Sequence, residues 1–220
     1  MTPPKNILIV RTDRIGDVVL TLPLASIIKK HFPNSKVTFL LRDYTKPLAA
    51  NNPCIDNIIT LKTENGKFKV AENITQLKNK YDTCIVAFPT FTLALILFLS
   101  RIKTRIGTGY RWYSFLFNKK IYEHRKFGER HELEYNIRLL KQIGIDENVN
   151  EENVEFNLHP SQKSVQKIKD EFSLIGIDES KKIVIVHPGS GGSAVDLPIS
   201  KLKTLVERMA HELDCGILIT

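Results

Sequence analysis

Two hundred and twenty residues, 42% apolar and 25% charged with 11 Gly and 10 Pro, suffice for a sizeable core and exclude disorder or a fibrous repeat. Three cysteines (Cys54, Cys84, Cys215) without a C-x-x-C pair exclude a disulfide framework and a structural zinc site, and fit a reducing cytoplasm. The formal charge of +8 suits an anionic partner: a phosphorylated substrate, a nucleic acid or a membrane surface.

No secretory leader is read at the start, because the apolar run at 7–10 is short and is cut off by Arg11, Asp13 and Arg14. Residues 6–11 predict a strand buried on both faces, and 17–31 a helix that Pro23 should kink or split. A second strand is expected at 36–41, a weak one at 57–61, a polar helix at 71–80 and a strong strand at 83–88. Residues 83–100 carry no charge and approach the length of a membrane span, but Pro89-Thr90 divides them into a buried strand and a buried helix at 91–100. A short strand comes next at 105–107 and a helix at 131–143. This alternation predicts an α/β doubly wound layout with a parallel sheet.

Between strand and helix, residues 101–130 hold nine basic side chains against Glu123 and Glu129, with seven of the eighteen aromatic rings. Charge then turns acidic at 146–153, which places a domain boundary at 155/156: residues 1–155 form one domain and 156–220 begin a second. The second is expected to run helix 161–174, strand 182–187, Gly-rich turn, helix 199–213 and strand 216–220. Only some sixty residues serve it, and the chain stops inside a strand, so the second α/β domain is expected to be incomplete.

Two turns sit where open α/β sheets bind ligands. The first, Arg11 to Asp17, offers Gly16 for close backbone approach and Asp17 either as a residue that offsets the helix dipole or as a carboxylate placed to take a proton from a substrate hydroxyl. The second, His187-Pro188-Gly189-Ser190-Gly191-Gly192-Ser193, can turn backbone N–H groups toward phosphate; its G-x-G-x-x-A spacing also admits a dinucleotide-dependent oxidoreductase. His131-Glu132-Leu133-Glu134-Tyr135 begins like a zinc-protease motif but has Tyr135 where the second histidine is needed, so no metal is expected.

Four blocks, in order, resemble glycosyltransferase family 9, the ADP-heptose:lipopolysaccharide heptosyltransferases: NILIVRTDRIGDVVLTLP from Asn6, Tyr81 to Val86, RIGTGYRWYSFLFNKK from Arg105 with HELEYN from His131, and HPGSGGS from His187. The resemblance implies a GT-B fold of two Rossmann-like domains, acceptor on the N-terminal side and nucleotide-sugar on the C-terminal side. It implies an inverting, metal-independent transferase without cofactor, with Asp17 as catalytic base. Ser190, Gly191, Gly192 and Ser193 would contact the donor phosphates; Arg14, Gly16, Arg105, Arg111, Lys119 and Lys120 would meet the acceptor. The implied partners are an ADP-sugar, an anionic lipid A/core-like glycolipid and the inner face of the cytoplasmic membrane, with no nucleic acid; the enzyme would be cytoplasmic and peripheral at that membrane. Val195-Asp196-Leu197-Pro198 departs from the family's basic residue followed by Asn-Trp-Pro and loses a lysine that would face ADP. The family's other donor residues would lie beyond Thr220, so these 220 residues alone are expected not to turn over. The non-enzymatic alternative is a binding module for anionic glycolipid.

Overall fold

The computed structural model describes residues 3–123, 128–150, 154–178, 180–190 and 195–220. The first elements obey the hydrophobic pattern. β1 (Asn6–Val10) is almost wholly apolar because it is covered on both faces: Ile7 and Ile9 enter one core, Leu8 and Val10 the other. Pro23 splits the expected helix into α1 (Ile15–Val19) and α2 (Pro23–His31), with proline taking the first helical position, where its missing N–H costs nothing.

The sheet grows through β2 (Lys36–Leu41) and β3 (Asn57–Thr60) on one side. A hairpin of β4 (Thr63–Glu64) and β5 (Lys67–Phe68) intervenes, closed by Asn65 and Gly66, both at positive φ. After α3 (Val70–Leu77), the chain returns as β6 (Thr83–Val86) on the other side of β1. α4 (Phe91–Leu99), β7 (Thr104–Thr108) and β8 (Lys119–Ile121) come next, and α5 (Glu132–Arg138) leads into a 3-10 turn at Leu139–Ile143. The order β3-β2-β1-β6-β7-β8 is parallel throughout. Counting only its own strands, this is the 3-2-1-4-5-6 arrangement of a Rossmann sheet, with its switch point between β1 and β6.

One core packs α2, α5 and the turn after it against Ile7, Ile9, Phe39 and Ile85; the other packs α3, α4 and Phe117 against Leu8, Leu40, Cys84 and Val86. The uncharged run at 83–100 is thus a strand and a nine-residue helix, and among the described residues no helix is long and apolar enough to cross a membrane.

The chain separates into two compact units, 1–160 and 161–220. Residues between the expected boundary and Pro160 stay with the first unit because they are tied to it. Phe156 packs on the core, its carbonyl accepts from Asn52 Nδ2 at 3.2 Å, and the His159 carbonyl accepts from Asn51 Nδ2 at 2.9 Å. The second unit comprises α6 (Gln162–Leu174), β9 (Lys182–Val186), α7 (Ile199–Glu212) and β10 (Cys215–Ile219), with β9 and β10 paired in parallel. Neither of its helices contains a buried residue.

Candidate active site

At the carboxyl end of β1 the apolar run gives way to Arg11, whose side chain is only 2% exposed. Burying a guanidinium is unfavourable unless it is fully paired, and here three carboxylates surround it. Nε lies 2.6 Å from Asp13 Oδ1; Nη2 lies 2.8 Å from Asp13 Oδ2 and from Asp17 Oδ1; Nη1 lies 2.8 Å from Glu132 Oε1. Nη1 also donates to Asn136 Oδ1 at 3.4 Å, and the ring of Phe88 lies under the guanidinium. Although burial works against its charge, these carboxylates hold the Arg11 pKa above its ordinary value.

The neighbours fix this cluster. Asn136 is fully buried and donates to the Leu20 carbonyl at 3.0 Å and Thr21 Oγ1 at 3.3 Å, while Thr21 Oγ1 donates to the Asp17 carbonyl at 2.8 Å. α5 therefore clamps α1 through polar contacts. The N-terminus of α5 is set by a capping box: His131 Nδ1 accepts from the Leu133 N–H and Glu134 reaches back to the His131 N–H. This leaves Glu132 to face Arg11. The segment that resembled a zinc motif is a helix cap plus an ion-pair partner.

Asp17 differs from the other members of the cluster. Burial, then repulsion from Asp13 and Glu132, raise its carboxyl pKa above the usual carboxylate range against the pull of Arg11. A carboxylate so raised, with its side chain 32% exposed, is a stronger base than a free aspartate and can be reached by a ligand.

Beside Phe88 opens a cavity of about 550 Å³ at the carboxyl ends of β6, β7 and β8. Phe88 and Pro89 contribute from the end of β6; Thr108, Tyr110 and Arg111 come from the end of β7 and the turn after it; Glu123 lies just past β8 and Tyr135 comes from α5. Glu123 is paired with Arg138. Aromatic rings, one cation and one carboxylate form a lining suited to a polar, hydroxylated ligand.

The sequence-expected residues fall in several places. Arg14 is the exposed N-cap of α1, and Gly16 faces open space, where an added Cβ would meet nothing within 4 Å. Arg111 lines the cavity. Arg105 lies across the Phe98 ring and donates to the carbonyls of Leu116 at 2.8 Å and Ile102 at 2.5 Å, so its side chain braces the β7–β8 connection. Lys119 and Lys120 are half-buried on β8, level with Ile106 and Gly107, outside the cavity lining. In the second unit the Ser190 N–H donates to Asp196 Oδ1 at 2.7 Å, a contact that holds the Asp196 carboxyl below its usual range. Gly191, Gly192 and Ser193 lie outside the described residues.

Arg11, Asp13, Glu132 and Asn136 were not among the expected site residues. An arginine ending an otherwise apolar strand, with an acid two positions later, was the local signal; Glu132, more than a hundred residues away, gave none.

The family model for glycosyltransferase family 9 (heptosyltransferase) matches residues 70–218. A Haemophilus influenzae protein assigned provisionally to the glycosyltransferases is 28% identical over 219 residues, 98% of this chain and 63% of that protein. Lipooligosaccharide heptosyltransferase 2 of Haemophilus ducreyi is 33% identical over 105 residues, 46% of this chain and 30% of its own length. The chain thus spans between 30% and 63% of the curated relatives it matches. Among solved structures, a family 9 glycosyl transferase from Veillonella parvula superposes with a TM-score of 0.74 at 17% identity, over 98% of this chain and 68% of that one. ADP-heptose heptosyltransferase II of Escherichia coli gives 0.74 at 18%, over 98% and 63%. These likenesses identify the fold as α/β of GT-B type, and the family match over more than half the chain is decisive: the chain belongs to glycosyltransferase family 9.

Proposed function

We propose that this chain carries the acceptor side and the start of the donor side of an inverting, metal-independent heptosyltransferase acting in lipopolysaccharide synthesis. The observation that carries this reading is a raised, reachable Asp17 carboxylate at the switch point of the sheet, next to a cavity lined for a sugar. The acceptor glycan occupies the cavity, with Arg111 facing its carboxylate or phosphate groups. Asp17 takes the proton of the acceptor hydroxyl as that oxygen attacks the anomeric carbon. The bond from that carbon to the ADP oxygen breaks on the opposite face, and the sugar is inverted. Arg11 holds Asp17 in place and keeps it anionic between turnovers.

The donor assignment draws on relatives: an E. coli heptosyltransferase has been solved with ADP-2-deoxy-2-fluoro heptose, and another structure of it with ADP. In this reading Ser190, Gly191, Gly192 and Ser193 meet the diphosphate. Asp196, bonded to the Ser190 N–H, stands near those phosphates in place of a cation.

In an enzyme assembled with a complete donor half, Asp17→Asn should lower heptose transfer, measured as ADP release, by about 10²- to 10⁴-fold. Binding of core oligosaccharide to the present chain, measured by calorimetry, should survive Asp17→Asn and weaken on Arg111→Ala. Near-normal transfer by Asp17→Asn would remove Asp17 from the mechanism.

A further inference from the structure

Asp13 and Asp17 meet on one nitrogen. Arg11 Nη2 lies 2.8 Å from Asp13 Oδ2 and 2.8 Å from Asp17 Oδ1, and the two carboxyl groups are themselves within hydrogen-bonding reach of each other. Two carboxylates in contact hold a proton between them more readily than either does alone, because ionising both sets like charges side by side. They are not equivalent. The Asp17 side chain is 32% exposed and that of Asp13 14%, so a ligand hydroxyl reaches Asp17 more readily than Asp13.

Three elements fix the pair. Asp13 grips the guanidinium at two points, through Nε and Nη2, which sets the plane of its carboxylate. The 3-10 turn Asp43–Leu48 packs against α1, and from it the Tyr44 hydroxyl donates to the Asp13 carbonyl, while Asp43 and Lys46 of the same turn are exposed. From α5, Glu132 takes Nη1 at 2.8 Å with Asn136 at 3.4 Å, so the third carboxylate draws on a different arm of the guanidinium. One cation thus faces three acids. Burial pushes the Asp17 carboxyl up, Arg11 pulls it down, and the charges of Asp13 and Glu132 push it up again. The fully ionised cluster has a surplus of negative charge, and one added proton relieves it.

We propose that Asp13 is a positioning residue for transfer: it stands against Asp17 on Arg11 and shares the proton that Asp17 takes from the acceptor hydroxyl. This rests on the reading of Asp17 as the base and deepens it. In the step, the acceptor O–H bond breaks and its proton passes to Asp17, and Asp13 accepts a hydrogen bond from the carboxyl group so formed. The acceptor oxygen bonds to the anomeric carbon as the bond from that carbon to the ADP oxygen breaks, and that electron pair leaves with ADP. The proton is then lost to water, and Arg11 again faces two carboxylates. Asp13 acts through Asp17 and makes it the stronger base.

The pair is read in the present chain by carbon-13 NMR of carboxyl-labelled aspartate titrated with pH, the two signals being assigned through the backbone. Expected in the parent is a coupled titration, in which both signals move through the same two steps. In Asp13→Asn, Asp17 should titrate in one step, about one pH unit or more lower. Asp13→Glu, which restores the charge, should return the midpoint toward that of the parent. In an enzyme with a complete donor half, Asp13→Asn should carry the acid limb of the kcat profile to lower pH. It should also lower kcat by about three- to tenfold and leave KM for the acceptor unchanged. Independent titration of the two signals in the parent, visible without any variant, would overturn the proposal. So would loss of transfer in Asp13→Asn with the acid limb unmoved, the mark of a merely structural role. Coupled titration together with near-normal transfer by Asp17→Asn would instead strike the reading of Asp17 as base, and with it the part of Asp13 in transfer.

Discussion

Arg11 concentrates the chemistry of the site into one side chain, and removing it exposes what it holds. Arg11→Met leaves Asp13, Asp17 and Glu132 facing each other without a cation, and breaking a buried pair in this way costs on the order of 3–5 kcal/mol. Acid neutralises carboxylates and so relieves the repulsion that this variant leaves, and the lost stability should return in part; urea unfolding at pH 7 and at pH 5 checks both the loss and its recovery. Asp17 has the same pH sense, although its removal changes stability at neutral pH in the opposite direction. Its folded-state pKa lies above that of the unfolded chain, so its favourable contribution is full below the unfolded value and fades as pH rises through the folded one. Asp17→Asn should therefore raise the melting temperature at pH 7 while lowering transfer in an enzyme with a complete donor half, an exchange of stability for activity. Asp17 stood out as a candidate in the sequence because it lies in a turn that α/β sheets use for ligands. Arg11 carried only a local signal, an arginine ending an apolar strand with Asp13 two positions on; the contacts with Glu132 and Asn136 that complete its surroundings run to a helix formed more than a hundred residues later.

Elements were readable wherever a continuous apolar run or a proline marked them, as at β1, β2, β6 and the break before α2. β8 was not, because Lys119-Lys120-Ile121 has no apolar alternation and becomes a strand only by lying beside β7. The hairpin of β4 and β5 carried its signal in Asn65-Gly66, whose positive φ at both positions is what a two-residue turn demands; its strands escape the hydrophobic pattern because each is only two residues long and mostly polar. The β7–β8 connection also depends on a missing side chain. A Cβ on Gly107 would lie 2.9 Å from the buried ring of Phe117, so Gly107→Ala must displace that ring, at a cost of roughly 1–3 kcal/mol. Thermal unfolding should register this loss, and Gly107→Ala with Phe117→Leu should recover part of it. Asp56, just before β3, ties that strand's start to β2 and α2. It accepts from the Val37 N–H at 2.7 Å and pairs with Lys29 at 2.7 Å, and these contacts outweigh burial and hold its pKa below the usual value. Its contribution is present above the unfolded pKa and is lost as pH falls through the folded one. Asp56→Asn should therefore flatten the acid limb of the stability profile.

At the scale of the molecule, the two units differ in how much they bury. The first has two cores on the faces of one sheet, whereas the second has two helices without a buried residue over a pair of strands. Amide exchange in this chain should accordingly be slow in β1, β2 and β6 and much faster in α6 and α7; equal protection would mean that the second unit gains burial from elsewhere. From Thr83 to Tyr122 there is no aspartate or glutamate, and these forty residues supply six of the formal net charge of +8. That local excess acts on approach: an anionic partner is drawn to this segment before any atoms touch, within roughly a Debye length, about 8 Å at physiological salt. Its signature is kinetic: adding salt should slow capture more steeply than it speeds release.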